Sequence, residues 1–437
     1  MTLQRITLIR PNMADYRSGD ALPPLAMAIL AARTPEEVAV TFYDDRVEMI
    51  PDDDMPDLVA LSVETFTARR AYEIAERYRR KGVTVVMGGY HPTLLPEEVL
   101  EHADAIIIGD AEGSWEQLLD DFRNDRLLQR YSGGNALALD DYRMDRSIFQ
   151  GKKYVPVELV QFGRGCRFTC EFCSIDAFYR HQVRVRPVQS VVDEIKTLNR
   201  KKMLFFVDDN LFSSRKELDA LLDALTPLEV RWSCQISIDA AKDDLLLERL
   251  RASGCIFVLI GFESLSEANL RQMGKSWNNV SGSYLQTVEK FHRRGIAVYG
   301  TFVFGYDDDT PELIEKSVAF AMEAKLEIAN FNPLTPTPGS RLYARLQREG
   351  RMLNERWWED ASYRYGDPIF RPVRMSPERF AAHCFEAKKR FYAWDSIVRR
   401  VFLSRTRFNL FRFVMVLLAN VVSRREIYNK QSRKLGE

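Results

Sequence analysis

Along residues 4–123, short apolar runs alternate with stretches of helical periodicity. The runs Ile6–Ile9, Val38–Tyr43, Leu58–Ser62, Val83–Met87 and Ala105–Ile108 are mostly aliphatic with little internal alternation. That pattern suits strands buried on both faces. Leu25–Ala32, Ala68–Lys81, Pro96–His102 and Ser114–Phe122 lie between them and read as helices. Strand–helix alternation predicts a five-stranded, doubly wound parallel α/β sheet. Ligands of such sheets bind beyond the carboxyl ends of the strands. The loops there are polar or glycine-rich: Ser62–Thr65, Gly88–Thr93 and Gly109–Gly113. Glycine lets backbone approach a ligand closely.

Residues 126–156 lack periodicity and read as a linker, with Ser132 to Asn135, Asp140–Asp141 and Gly151–Lys153 as turn signals. Alternation resumes at Val157. The strands expected are Val157–Phe162, Met203–Val207, Val230–Ile238, Cys255–Gly261, Ile296–Phe304 and Glu327–Pro333. The helices expected are Val188–Asn199, Arg215–Leu225, Lys242–Ala252, Val280–Arg294 and Pro311–Ala324. The six strand–helix units resemble a partial (β/α)6 barrel, and in such barrels the chemistry sits at the carboxyl ends of the strands. Residues 350–437 read as a mostly helical region rich in aromatics, among them Trp357, Trp358, Tyr363, Tyr365, Phe391, Tyr392 and Trp394. Aromatics at helical spacing are core more often than pocket lining. The domains expected are therefore 1–125, 157–349 and 350–437.

Composition narrows the class. Lys plus Arg and Asp plus Glu number 62 each, so no net field draws in nucleic acid. The first ten residues form a strand pattern rather than a signal peptide, and no run reaches the ~18 apolar residues of a spanning helix. A cytoplasmic location is expected, where thiols stay reduced. The run Phe408–Val422 is strongly apolar, broken by Arg412 and Asn420 and flanked by Arg405, Arg407, Arg424 and Arg425. It either docks on the barrel or lies on a membrane surface, and docking is the reading favoured by the number of buried terminal helices in soluble domains.

Three of the six cysteines, Cys166, Cys170 and Cys173, stand at C-x3-C-x2-C spacing after the first barrel strand. A zinc site wants four Cys or His ligands, and the next histidine is His181. A disulfide framework does not suit six cysteines in 437 residues. Three thiolates hold three irons of a 4Fe–4S cluster, which normally takes four cysteines, and leave one iron open. Cys234, Cys255 and Cys384 fall in a strand, a strand and a helix and read as core.

This motif, with Phe172 before its last cysteine, resembles the radical S-adenosylmethionine (radical SAM) superfamily. The resemblance implies that SAM binds the open iron through its amino and carboxylate groups and is cleaved to a 5′-deoxyadenosyl radical. It places Glu263 and Ser264, after strand four, at the SAM ribose. Asp208, Asp209 and Asn210, after strand two, stand at the SAM amino group. Gln235 closes strand three, and the run from Gly300 to Gly305 stands where the family packs adenine. Helix capping is the competing use of each acidic loop residue. An external electron donor such as flavodoxin or ferredoxin is also implied.

The N-terminal loops resemble the Rossmann-like cobalamin-binding domain fused to many radical SAM enzymes. Ser62, Thr65, Gly88, Gly89, His91, Gly109 and Glu112 are the residues that would face cobalamin. His91 has the alternative of capping its turn. The Asp-x-His-x-x-Gly signature is absent; Asp44 to Met49 stands in its place, and Arg46 has no lone pair for cobalt. The implied activity is cobalamin-dependent methylation of an unactivated carbon in a small molecule or lipid. Two alternatives stay open at this stage. One is a cobalamin-independent dehydration, cyclisation or rearrangement. The other is an iron–sulfur protein for electron transfer or sensing.

Overall fold

The structure, a computed structural model, describes residues 3–14, 16–133, 139–278, 283–402 and 410–436. Asn135, Val280, Arg405, Arg407 and Phe408, named above, lie outside the described residues.

The N-terminal sheet holds β1 (Arg5–Arg10), β2 (Ala39–Asp44), β3 (Leu58–Ser62), β4 (Thr84–Gly88), β5 (Ala105–Ile108) and β6 (Arg130–Ser132). All pairs are parallel, in the order β2-β1-β3-β4-β5-β6. The sheet thus has six strands, not five. The sixth comes from the expected linker, where Ile107 pairs with Tyr131. Three mainly polar residues carry too little alternation to be seen in sequence. Helices α1 (Leu25–Arg33), α2 (Ala68–Arg79), α3 (Tyr90–Leu94), α4 (Pro96–Leu100) and α5 (Trp115–Arg123) cover the two faces. Ile6, Leu8, Ala60, Val86 and Ile107 pack beneath α1 and α5 around Trp115. Ile9, Val59, Leu61, Val85 and Met87 pack on the other face beneath α2. This two-sided burial is why the strands read as continuous apolar runs.

The second sheet begins with β7 (Val157–Val160). A short antiparallel pair, β8 (Gly163–Arg164) and β9 (Arg184–Val185), brackets the cysteine loop. Then follow β10 (Met203–Phe206), β11 (Trp232–Gln235), β12 (Cys255–Glu263), β13 (Ala297–Phe304) and β14 (Ile328–Pro333). The order is sequential from β7 and β10 through to β14, all parallel, and β7 and β14 do not pair with each other. This is an open, partial barrel. Around it run α6 (Ser174–Tyr179), α7 (Val188–Thr197), α8 (Arg215–Leu225), α9 (Asp244–Ala252), α10 (Glu267–Gln272), α11 (Tyr284–Arg293), α12 (Pro311–Glu323) and α13 (Arg341–Arg348). Their starts are fixed by side-chain caps: Ser214, Asp243, Ser266, Thr310 and Ser340 each accept a backbone N–H of the first turn. Cys234, Cys255 and Cys384 are buried, as expected.

The C-terminal region is helical only from Pro377, in α14 (Pro377–Phe391), α15 (Trp394–Phe402) and α16 (Leu410–Lys430). Residues 351–376 instead run as turns with an isolated bridge between Met352 and Phe370. Gly366, Pro368 and Pro372 break any helix there. That stretch carries Trp357 and Trp358 into the core of the N-terminal sheet, where Leu435 joins them. Helix α16 docks on the barrel through Arg412 and Asn420, while Val416 packs against α15 and Glu426 reaches Gly19 of the N-terminal part.

Candidate active site

The cysteine loop leaves the carboxyl end of β7. Cys170 is buried, and Cys166 and Cys173 are partly exposed; all three are free thiols. Cys173 is the residue that precedes α6, and its side chain makes no capping hydrogen bond to that helix. Burial pushes the Cys170 thiol up to about 12 and the Cys173 thiol up to about 11. Bare thiolates are thus disfavoured here, and a bound metal would compensate them. Among the described residues, no three His, Cys, Asp or Glu side chains converge where a single ion could sit. A four-iron cluster needs no such point, because each thiolate binds a different iron. The donor set fits a cluster.

The residues after β10 divide their work. Asp208 accepts the N–H groups of Phe162, at 3.0 Å, and Gly163. Burial pushes its carboxyl up to about 7, against the pull of those two donors. Asp209 accepts the Gly165 N–H at 2.7 Å, and burial raises it to about 6. Both aspartates therefore fix the path of the cysteine loop. Asn210 alone of the three reaches a cysteine: its Nδ2 lies 3.8 Å from Cys166 Sγ, and its Oδ1 accepts the Ser237 N–H at 3.1 Å. Gln235 is exposed and donates to the Asp209 carbonyl.

Glu263 ends β12 at a register shift, with φ at +62°. A non-glycine residue in that region is strained and marks a site. Its carboxylate pairs with Lys275 Nζ at 2.8 Å, and both side chains are buried. Gly261 makes the room: a Cβ there would stand 2.2 Å from Glu263 Oε1. Burial acts to lower the Lys275 ammonium, but Glu263 and the nearby Cys170 and Cys173 hold it above its ordinary value. Lys275 was not legible as a site residue, since it lies twelve positions past Glu263 in no recognisable pattern. Ser264 is buried; its Oγ accepts the N–H of Ser266 and faces Asn269. Gly305 is turned against Phe370 and Phe380, and its N–H donates to Asp309 at 2.6 Å.

A cavity of about 350 Å³ lies between the N-terminal sheet and the cysteine loop. Ser62, Gly88, Gly89, Gly109 and Glu112 line its sheet side, and Phe178, Tyr179 and Asp209 its barrel side. It runs down between α1, α5 and the sheet as an apolar slot past Leu30, Val86, Ile107 and Trp115. At Gly89, φ is +104° and a Cβ would come 2.9 Å from the Val63 carbonyl, so only glycine fits. Backbone cradle above and apolar slot below fit a flat cofactor with an apolar tail. Two expected residues are elsewhere. His91 is fully buried, with Thr65 at 3.3 Å on one ring nitrogen and Tyr72 at 2.9 Å and Glu98 at 3.1 Å on the other. Neither His91 nor Thr65 lines this cavity. Glu112 lines it but pairs with Arg164 of β8, which also meets Asp110 at 3.1 Å and so ties the loop after β5 to the start of the cysteine loop.

Two further cavities flank the cysteine loop. One of about 680 Å³ reaches Cys173 and is bounded by Gly109, Ser132, Ala177 and Arg341. The other, of about 270 Å³, lies at the barrel mouth between Phe66, Phe172, Leu334, Tyr363, Tyr365 and Ile369.

Comparison with known proteins places this geometry. A profile described as the radical SAM superfamily matches residues 160–321, and one described as a B12 binding domain matches residues 17–119. The chain is 30% identical over 396 residues to bacteriochlorophyllide d C-12(1)-methyltransferase of Chlorobaculum tepidum, covering 88% of this chain and 86% of that protein. It is also 30% identical to that organism's bacteriochlorophyllide d C-8(2)-methyltransferase, covering 89% of each. In fold it is similar to the radical SAM methyltransferase TsrM of Kitasatospora setae, with a TM-score of 0.65, 17% identity, and coverage of 89% of this chain and 83% of that one. The chain belongs to the radical SAM superfamily, among its cobalamin-binding methyltransferases, and its cofactors are a 4Fe–4S cluster, SAM and cobalamin.

Proposed function

We propose that this enzyme methylates an unactivated carbon of a largely apolar small molecule, with a ring system of tetrapyrrole type as the leading substrate class. One observation carries the reading: the mouth cavity takes residues from all three parts of the chain. Phe66 comes from the turn after β3, Phe172 from the cysteine loop, Leu334 from the loop after β14, and Tyr363, Tyr365 and Ile369 from the C-terminal region. An apolar, aromatic wall suits a flat apolar substrate. The bacteriochlorophyllide relatives support the class.

In this reading residues 1–125 hold cobalamin, 157–349 hold the cluster and SAM, 350–437 cap the mouth, and 126–156 link the first two. Cys166, Cys170 and Cys173 hold the cluster, and Phe172 keeps water from it. Glu263 and Ser264 take the SAM ribose, and Lys275 takes its carboxylate, exchanging part of its pairing with Glu263 for that anion. Asn210 orients the Cys166 side of the site. The backbone at Ser62, Gly88, Gly89 and Gly109 would face a corrin, and among the described residues no histidine lines this cavity. When bound, the cluster with SAM supplies one-electron C–H activation, and cobalamin supplies the methyl carrier.

Anaerobic reconstitution with iron, sulfide, SAM and a corrinoid tests it, with products read by mass spectrometry. With a tetrapyrrole substrate, 5′-deoxyadenosine, S-adenosylhomocysteine and a product heavier by one methylene are expected. Deoxyadenosine without S-adenosylhomocysteine would overturn methyl transfer.

A further inference from the structure

Helix α16 is built inside out. Its buried residues are Arg412, Val416, Asn420 and Glu426, three of the four polar. Asn420 Nδ2 donates to the Glu327 carbonyl at 2.9 Å and Arg412 to the Gly295 carbonyl at 2.6 Å, which holds this face on the barrel. Its outward face carries Leu410, Val414, Leu418 and Val421, exposed by 66%, 44%, 58% and 38%. These recur at four, four and three residues, a continuous apolar stripe. On the neighbouring α15, Trp394 and Val398 are exposed by 54% and 50%. An apolar face of this kind marks a surface that something covers.

A second feature adjoins the start of that stripe. A cavity of about 350 Å³ at the amino ends of the barrel strands is lined by Arg231, Arg251, Arg293, Arg294, Arg412 and Phe411. Arg231 stacks 3.8 Å over the Phe411 ring. Arg293 pairs with Glu289, and Arg294 with Asp244 and Glu248. Arg231 and Arg251 have no carboxylate partner among the described residues. The helix ends and turns leading into β10, β11, β12 and β13 all carry arginine or lysine: Arg200 and Lys201, Arg231, Arg251 in the last turn of α9, and Arg293 with Arg294 at the end of α11. The whole chain has no net charge, so this concentration is a local asymmetry.

We infer that this face binds the surface of an anionic phospholipid bilayer, with the α16 stripe in the acyl boundary and lipid phosphates at the arginine cavity. Apolar residues beside a cluster of cations match a headgroup layer over an acyl layer. A second copy of the chain is a poorer occupant, since a two-fold contact sets like patches together and would bring two arginine clusters into one interface. The face lies at the end of the barrel away from the cysteine loop, so binding leaves the mouth free. The inference stands independently of the methyl-transfer reading.

Flotation of the full-length protein tests it, with vesicles of phosphatidylcholine alone and of phosphatidylcholine with phosphatidylglycerol. Light scattering without lipid gives the oligomeric state. The protein should float with anionic vesicles only, and high salt should release it. Arg251→Ser should lower the partition coefficient about fivefold, and Val414→Asp with Leu418→Asp should abolish flotation while SAM cleavage in solution stays unchanged. No flotation with anionic vesicles, equal flotation with neutral ones, or a dimer that the paired aspartate variant dissociates would each overturn it.

Discussion

Glu98 joins two parts of the chain that are 260 residues apart, and its removal gives a sharp test of the packing described above. Its carboxylate accepts the Tyr72 hydroxyl at 2.7 Å and the Trp358 indole N–H at 2.8 Å, lies 3.1 Å from His91 Nε2, and meets Arg356 at 3.3 Å. Burial works against the charge, but hydrogen bonds from His91, Tyr72 and Trp358 outweigh it and hold the carboxyl at about 2 rather than 4.5. In Glu98→Ala, three buried polar groups lose their acceptor, at about 1–3 kcal/mol each. Relief of the buried charge offsets part of this, leaving about 3–5 kcal/mol. Glu98→Gln keeps one acceptor and should cost about 1–3 kcal/mol. Urea unfolding followed by tryptophan fluorescence reads this directly; with a slope of about 3 kcal/mol per molar, the alanine midpoint should fall by at least about 1 M. The pH dependence has a definite sign. A carboxyl whose folded value lies below its unfolded value adds stability that is complete above about 4.5 and lost as pH falls towards about 2. Wild type should lose this contribution over that window, and Glu98→Gln should show a flatter profile there. An alanine variant within about 0.5 kcal/mol of wild type would refute the reasoning.

Other outcomes follow from the same geometry. His91→Ala should lower stability yet leave the visible spectrum of bound corrinoid unchanged, since the ring faces Glu98 and Tyr72 rather than the cavity. Cys170→Ala should remove the iron–sulfur absorbance and SAM cleavage together, with circular dichroism preserved. Lys275→Met should cost about 3–5 kcal/mol by leaving Glu263 buried and unpaired; adding Glu263→Gln should recover most of that stability but not SAM affinity measured by calorimetry. Arg164→Leu should weaken corrinoid binding, because Asp110 and Glu112 lose the cation that ties the loop after β5 to the cysteine loop; unchanged affinity would show that the clasp does not shape the cavity.

The parallel sheets were legible because both faces of each are covered, and continuous apolar runs punctuated by helices have few other solutions. The cysteine loop was legible because its spacing is local. What escaped was set by contacts distant in sequence. β6 is three residues long and is ordered by β5 alone. His91 stands in a glycine-rich loop beyond a strand, where ligands are expected, but its backbone enters α3 and turns the ring inward to Glu98. Lys275 acquires its role only through Glu263, which a bulge and Gly261 aim at it. The stretch 351–376 reads as aromatic and therefore helical, yet its tryptophans are spent in a neighbouring domain's core.

Glu426 and Lys430 of α16 meet Gly19 and Asp20, and Leu435 is fully buried under the first sheet. The corrinoid domain is therefore held by more than the connection through residues 126–156: the Arg164 clasp, the tryptophans of 351–376 and this returning strap each anchor it. Several anchors remove the freedom of a single hinge. Wide gaping between domains would need all of them to let go, so a bulky cofactor enters most easily before the last of them seats. A nick near residue 426 should therefore speed exchange of that cofactor only in part, because the tryptophans stay buried in the sheet's core.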